Sequence, residues 1–299
     1  MSSTVWSTRA SATPEAVRLP RTFWRDTAGA LRRQRGAMLG LALVALVVIA
    51  AVVGMGVPES VNRSSLGQRL VAPGAAHVFG TDGSGRDIFQ RVLLGAPLSL
   101  SVGVVAVLIG SVLGSVQGLL AGFRGGWIGA IVMRFTDAML AFPTLLLALA
   151  IMATLGAGLS NVMIAVGLSS MPRFTRLMHA EVLSIRSREF VVAARAVGAP
   201  TFWILFRHIL PNALSSVLVL ATLSISTAIL AEATLSFLGL GPRPPTATWG
   251  SMISDATSVL QTAPWVVLFP GLAITLTVLG FSLVGDGLRD ALDVRLRER

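Results

Sequence analysis

The residues able to do chemistry are few in this chain of 299, and their spacing argues against most of it. His77, His179 and His208 lie far apart, no His-Glu-x-x-His pair exists, and no Gly-x-Ser-x-Gly nucleophile turn is present. Cysteine is absent, which removes disulfides, thiolate nucleophiles and cysteine-ligated metal centres. All 24 basic residues are arginine, so a phosphate loop ending Gly-Lys-Ser/Thr cannot be built here, and any ATP that drives the protein must be bound by another chain. His179 and Glu181 lack partners for a metal site and read as a solvated loop pair. Asp82 and Asp87 sit beside Arg86 in Gly80-Thr-Asp-Gly-Ser-Gly-Arg-Asp87, where a structural Asp/Arg turn is a better reading than acid–base exchange. No cofactor or metal is expected on the chain itself.

The elements that must position these residues are membrane helices. The chain is 54% hydrophobic and 13% charged, with a mean hydropathy of +0.77, far more apolar than a soluble domain of this length. About 20 apolar residues cross a bilayer as a helix. Six such segments are predicted, over residues 36–57, 97–121, 131–155, 159–172, 212–238 and 264–285, the fourth extending as a tilted helix toward Met178. The net charge of +10 does not point to nucleic acid, because the arginines lie between apolar runs rather than on an aromatic-studded polar surface. They report topology. With both termini in the cytoplasm, only Arg63, Arg69, Arg86, Arg91 and Arg243 of the 24 face outward. Phe23 and Trp24, among Arg21, Arg25, Arg32 and Arg33, suggest an interfacial amphipathic stretch, with a disordered tail as the alternative.

Four features inside this frame stand out. Gly110, Gly114, Gly118 and Gly122 recur every fourth residue of the second span and form one smooth stripe, a packing seam whose functional alternative is a sliding seam. Glu232 is an ionisable residue in the fifth span, about 30 Å along it and so near the outer interface, where a gate role and an interfacial hydrogen-bonded carboxylate both remain open. Arg134 and Asp137 are three apart and are expected to pair, and Pro143 is expected to kink the third span. The fourth is the cytoplasmic stretch from Pro172 to Pro211. It holds a predicted helix of about three turns over residues 186–198, ending at Gly198 with Pro200 beyond. Glu189, Val192, Ala193 and Ala196 share one of its faces, ringed by Arg186, Arg188 and Arg195. A face for docking and a helix lying on anionic lipid both fit that pattern.

This stretch resembles a known family. Ala193-Ala194-x-x-x-Gly198, a nine-residue gap and His208-Ile-Leu-Pro211-Asn212 are similar to the cytoplasmic signature of ABC-importer permeases, in the form typical of dipeptide and oligopeptide systems. Further matches to their C-type subunit are Gly80-Thr-Asp-x-x-Gly-Arg-Asp87, Phe142-Pro143, Glu232-Ala-x-Leu-Ser-Phe-Leu-Gly-Leu-Gly241, Trp249-Gly250, Phe269-Pro-Gly271 and Gly285-Asp-Gly-Leu-Arg-Asp290.

The resemblance implies an all-α type I importer permease of six transmembrane helices in a bacterial cytoplasmic membrane. Its parts are a cytoplasmic tail (1–35), a first helix (36–57), an extracytoplasmic loop (58–96), a permease core (97–288) and a C-terminal tail (289–299). It implies a second permease subunit, two ATPase subunits that carry ATP and Mg, an extracytoplasmic binding protein and a peptide substrate. Glu189, Val192, Ala193, Ala194, Arg195, Gly198, Pro211 and Asn212 would couple to the ATPases. Thr81, Asp82, Gly85, Arg86 and Asp87 form an outer signature, and Glu232, Ser236 and Phe237 are pathway or gate candidates. The chain departs from the broader family at Val192, where that family has glutamate; Glu189, one turn earlier, is the proposed substitute. Nickel, glutathione or other small-solute importers share these motifs. A secondary transporter would need ion-binding residues near mid-membrane, for which Glu232 is thin support, and a membrane hydrolase lacks its nucleophile.

Overall fold

The computed structural model describes residue 29, residues 31–243 and residues 245–297, with side chains as far as residue 292. The stretch around Phe23 and Trp24 lies outside the described residues. Within them the chain is helical, with one isolated bridge between Thr81 and Asp87 and no strand. Helix α1 is Arg35–Met55, its 21 residues covering about 32 Å. One side, bearing Ala37, Gly40, Val47, Ala51 and Gly54, is buried, while Leu39, Leu46, Ile49, Val52 and Val53 face outward as a lipid surface. Helix α2, Ile88–Arg124, runs for 37 residues and contains Pro97. That proline has no N–H for the Leu93 carbonyl, and α1 places Gly54 against this carbonyl, where no side chain would fit.

The third span is broken. Helices α3, Gly126–Leu140, and α4, Thr144–Leu155, meet at 95° around residues 141–143. Pro143 removes the N–H that would bond the Met139 carbonyl and adopts an extended backbone, ψ 132°, so the expected kink becomes a full elbow. Helix α5, Leu159–Arg186, passes through Pro172 and beyond Met178, longer than its apolar run indicates. Its charged residues Arg173 and Arg176 are exposed, while Phe174, Thr175, Met178 and Val182 are buried, so one helix is polar on one side and packed on the other.

The short α6, Glu189–Ala196, leads to α7, Thr201–Phe237, whose base contains a π-helical turn at Leu205–Ile209. Helix α8, Trp249–Asp255, folds back over the C-terminal end of α7, and α9, Trp265–Arg297, returns along α1. Among the described residues α1, α2, α7 and α9 are long and apolar enough to cross a membrane, and the α3–α4 pair makes five if it counts as one span. One apolar core joins α2, α5 and α7; a second gathers around Ile88, Ala96, Trp249, Met252 and Val266.

Candidate functional site

The segment between α5 and α7 is built around α6. The helix starts three residues later than the sequence reading, because Ser187 closes α5 and Arg188 is extended (φ −72°, ψ 148°), leaving about two turns instead of three. Gly198 ends it at φ +78°, a conformation that glycine adopts without steric cost. Glu189 lies in its first turn and Arg195 in its last, both favourable to the helix dipole. Val191 points inward and is fully buried, whereas Glu189, Val192, Ala193 and Ala196 are exposed, so the predicted face does look outward. Ala194 is half-buried. No cation among the described residues lies within ion-pair distance of Glu189.

The segment is wired to the bundle by three contacts. Arg186 Nη1 donates to the Gly122 carbonyl at 3.0 Å, satisfying an acceptor at the end of α2. The Arg195 guanidinium lies 5.9 Å from the Phe123 ring centre, a cation–π contact. The His208 ring sits between Trp203, at 4.7 Å, and Phe190 of α6, at 5.7 Å. His208 belongs to the π turn that precedes Pro211. Asn212 Nδ2 donates to the His208 carbonyl at 2.6 Å, a side-chain bond laid over the irregular backbone. This turn was not evident from the sequence; the available signal was a proline four residues after Arg207 within an otherwise helical pattern.

The glycine stripe begins where α6 is tied down and runs outward. A Cβ on Gly114 would lie 2.5 Å from the Met171 carbonyl, on Gly118 2.8 Å from Met178 Cβ, on Gly122 2.8 Å from Val182 Cβ, and on Gly110 2.8 Å from the Gly167 carbonyl. Helices α2 and α5 therefore meet backbone to backbone, as small residues in membrane helices allow.

Before α2, Asp82 organises the Gly80–Asp87 turn. Its Oδ1 accepts the N–H groups of Ser84 (2.8 Å) and Arg86 (3.0 Å), and its Oδ2 accepts Arg86 Nε (2.7 Å) and Arg91 Nη1 (2.5 Å). Burial alone would raise the Asp82 pKa, but the Arg86 N–H, the Arg86 and Arg91 guanidinium charges and the Ser84 N–H outweigh it and hold the carboxyl below its ordinary value. Thr81 is fully buried; its hydroxyl donates to the Gln68 carbonyl and accepts the Val71 N–H. Asp87 caps α2 through the Gln90 N–H and meets His77 Nδ1 at 2.8 Å. At Gly85 (φ +77°), a side chain would strike the Ser65 carbonyl. The turn is structural, as read from its residues.

Glu232 is a hydrogen-bonded carboxylate, and it is buried. It is 1% exposed, accepts the Ser236 hydroxyl at 2.7 Å, and is enclosed because α8 closes over the end of α7, with Gly250 set against Ala233 and Ser236. Ser236 is thus beside Glu232, while the side chain of Phe237 is exposed. Trp249 locks this cover: its N–H donates to Ser99 Oγ at 3.1 Å and its Nε1 to the Val92 carbonyl at 2.9 Å. Two further expectations are corrected. Asp137 pairs with Arg176 of α5, at 2.5 Å, in place of Arg134, because the elbow brings α5 closer than the helical neighbour. His179 and Glu181 lie on α5 and not on a loop, and Glu181 accepts the Ser216 hydroxyl of α7 at 2.6 Å. Among the described residues no group of three His, Asp or Glu is placed to hold a metal.

Comparison with known proteins places this geometry. Residues 114–298 match the profile of the binding-protein-dependent transport system inner membrane component, and residues 22–73 match the N-terminal TM domain of oligopeptide transport permease C. The dipeptide transport system permease protein DppC of Alkalihalophilus pseudofirmus is 46% identical over 275 residues, covering 92% of this chain and 90% of its own length. The glutathione transport system permease protein GsiD of Escherichia coli O157:H7 is 45% identical over 287 residues, covering 95% and 93%. A chain of the inward-facing MetNI methionine ABC transporter shares the fold, with a TM-score of 0.55 at 19% identity over 67% of this chain and 95% of that one. With a profile over more than half of its length and relatives this similar over nearly all of it, the chain belongs to the binding-protein-dependent transport system inner membrane components, in the peptide-type ABC permease branch.

Proposed function

We propose that this chain is one of two permease subunits of an ATP-driven importer of dipeptides or oligopeptides. It forms half of the translocation pathway, and α6 is the handle gripped by cytosolic ATPases. The observation that carries this reading is the exposed, small-residue face of α6, with Glu189 at its start, anchored to α2 and α7 by Arg186, Arg195 and His208. Ala193, at the centre of that face, keeps it low enough for a close approach, and the exposed Val192 and Val197 supply apolar area at its edge. With no lysine for a phosphate loop, ATP and Mg belong to partner subunits. Arginine distribution supports cytoplasmic termini in a bacterial inner membrane, and α5, though polar on one side, serves as a sixth span within a 97–288 core behind a first helix at 36–57. An extracytoplasmic binding protein would deliver substrate to the outer face. Relatives named for glutathione transport make that tripeptide a second substrate reading. Pull-down of the full chain from native membrane tests the assembly: two ATPase copies bearing phosphate loops and a second permease are expected. Transport by this chain alone in proteoliposomes would overturn it.

A further inference from the structure

We infer that Arg173, with Arg176 beside it, forms a carboxylate-binding subsite on the translocation pathway; the inference rests on the importer reading and names what the pathway grips. The depth of these residues is fixed by α5 and α7 together. The Gly158 N–H donates to the Leu240 carbonyl at 3.2 Å, aligning the outer ends of the two helices, and the same register is kept where Glu181 of α5 meets Ser216 of α7. Arg173 follows Leu159 by 14 residues, about 21 Å along the helix, so it stands level with Leu223 in the apolar middle of α7. A hydrocarbon core is about 30 Å thick, and a guanidinium at that depth must face protein or water.

Arg173 and Arg176 are both exposed on the face of α5 that looks at the elbow between α3 and α4. The two arginines straddle that elbow. Arg176 reaches Asp137 on α3, while Arg173 Nη2 donates to Thr144 Oγ1 at the start of α4, at 2.9 Å. The patch holds two guanidinium groups and one carboxylate, and among the described residues no carboxylate lies within ion-pair distance of Arg173. It differs sharply from the outward face of α1, which is Leu, Ile and Val at comparable depth and suits acyl chains. A surplus guanidinium held by one neutral hydroxyl, on an exposed face, selects an anion with two acceptor oxygens. A carboxylate exchanges for the Thr144 hydroxyl without disturbing the Asp137 pair, and every peptide with a free C-terminus supplies one.

The test uses the complete transporter in proteoliposomes, with its binding protein saturating. Initial transport rates are compared for a dipeptide and its C-terminal amide, in wild type, Arg173→Gln and Arg173→Lys. The binding protein is common to all three, so whatever preference it imposes cancels between variants. Arg173→Gln is expected to lower the acid-to-amide rate ratio about tenfold by slowing the acid alone, and Arg173→Lys to restore part of it. An unchanged ratio, or equal slowing of both peptides, overturns the subsite and leaves a structural role for Arg173. Repeating the series with and without phosphatidylglycerol separates the other source of anionic oxygens: an effect confined to anionic vesicles assigns the site to lipid phosphate and also overturns it. Failure of the wild-type complex to move either peptide refutes the importer reading instead.

Discussion

Asp82, in the turn before α2, and Glu189, at the start of α6, are both carboxylates with arginines within four residues, yet their surroundings are opposite. Asp82 is 5% exposed and accepts four hydrogen bonds, two from backbone N–H groups and two from arginine side chains. Glu189 projects from an eight-residue helix with Val192 and Ala193 beside it and no ion-pair partner among the described residues. A saturated, buried carboxylate holds a fold together; an exposed one on a rigidly anchored helix is available to another molecule. Trp249, Thr81 and Glu232 follow the first pattern, each buried and hydrogen-bonded. The α6 segment and the base of α7 place Val197, Phe202 and Phe206 in the open and spend their hydrogen bonds on securing the two ends of that segment.

The largest effect should come from breaking the saturated end. Asp82→Ala leaves the Arg91 guanidinium, 3% exposed, without its carboxylate, and one-sided removal of a buried pair costs about 3–5 kcal/mol. Thermal unfolding of the purified protein in detergent should show a lower midpoint, with the same loss in variants unable to bind ATPases. The pH dependence has a defined sign. Asp82 is held below its ordinary value of 3.8, so its contribution is complete above that pH and is lost only as pH falls through the lower folded-state value. Wild type should therefore keep this contribution throughout the range above about pH 4, and Asp82→Asn should lose stability there and flatten the acid limb.

The α2–α5 seam gives the next effect. Gly118→Val would drive a branched side chain into Met178 Cβ and the Thr175 carbonyl of a neighbouring helix that has no room to retreat, an overpacking cost of about 1–3 kcal/mol. Gly271 in α9 has nothing within 4 Å of its Cβ position, so Gly271→Ala is expected to be neutral or stabilising by up to about 1 kcal/mol. The two variants, unfolded side by side, separate close helix approach from the general effect of replacing glycine.

These contrasts show where sequence is sufficient. The stripe from Gly110 to Gly122 was legible because a four-residue period fixes a helix face whatever packs on it. The Asp82 turn was legible because Gly, Asp and Arg carry their own local geometry. What the chain alone does not show depends on a second element. The burial of Glu232 requires α8 to fold over α7, and no feature within α7 announces that. Arg134 and Asp137 satisfied the three-residue spacing, but that rule says which side chains can meet, not that α5 will offer Arg176 to Asp137. The length of α5 was hidden because hydropathy averages a packed side with a polar one. The elbow at Pro143 was underestimated for a similar reason: the chain alone allows a kink or a break, and here α5 holds both sides through Asp137 and Thr144.

The smallest stability change should accompany the largest functional one at the open end. Glu189→Arg alters an exposed residue without an ion-pair partner among the described residues, so the unfolding midpoint should shift by an amount equivalent to no more than about 0.5 kcal/mol. The same change places an arginine at the start of α6, next to Arg188, and reverses the charge that a partner would meet; its opposition to the helix dipole, a few tenths of a kcal/mol at an exposed site, is included in that amount. In reconstituted complexes, transport per ATP hydrolysed should fall while the chain stays folded, because the partner meets a repulsive charge where Val192 already offers none. Coupling that survives Glu189→Arg with stability unchanged would show that the ATPases grip the apolar edge around Val192 and Val197, and would move the recognition from charge to shape.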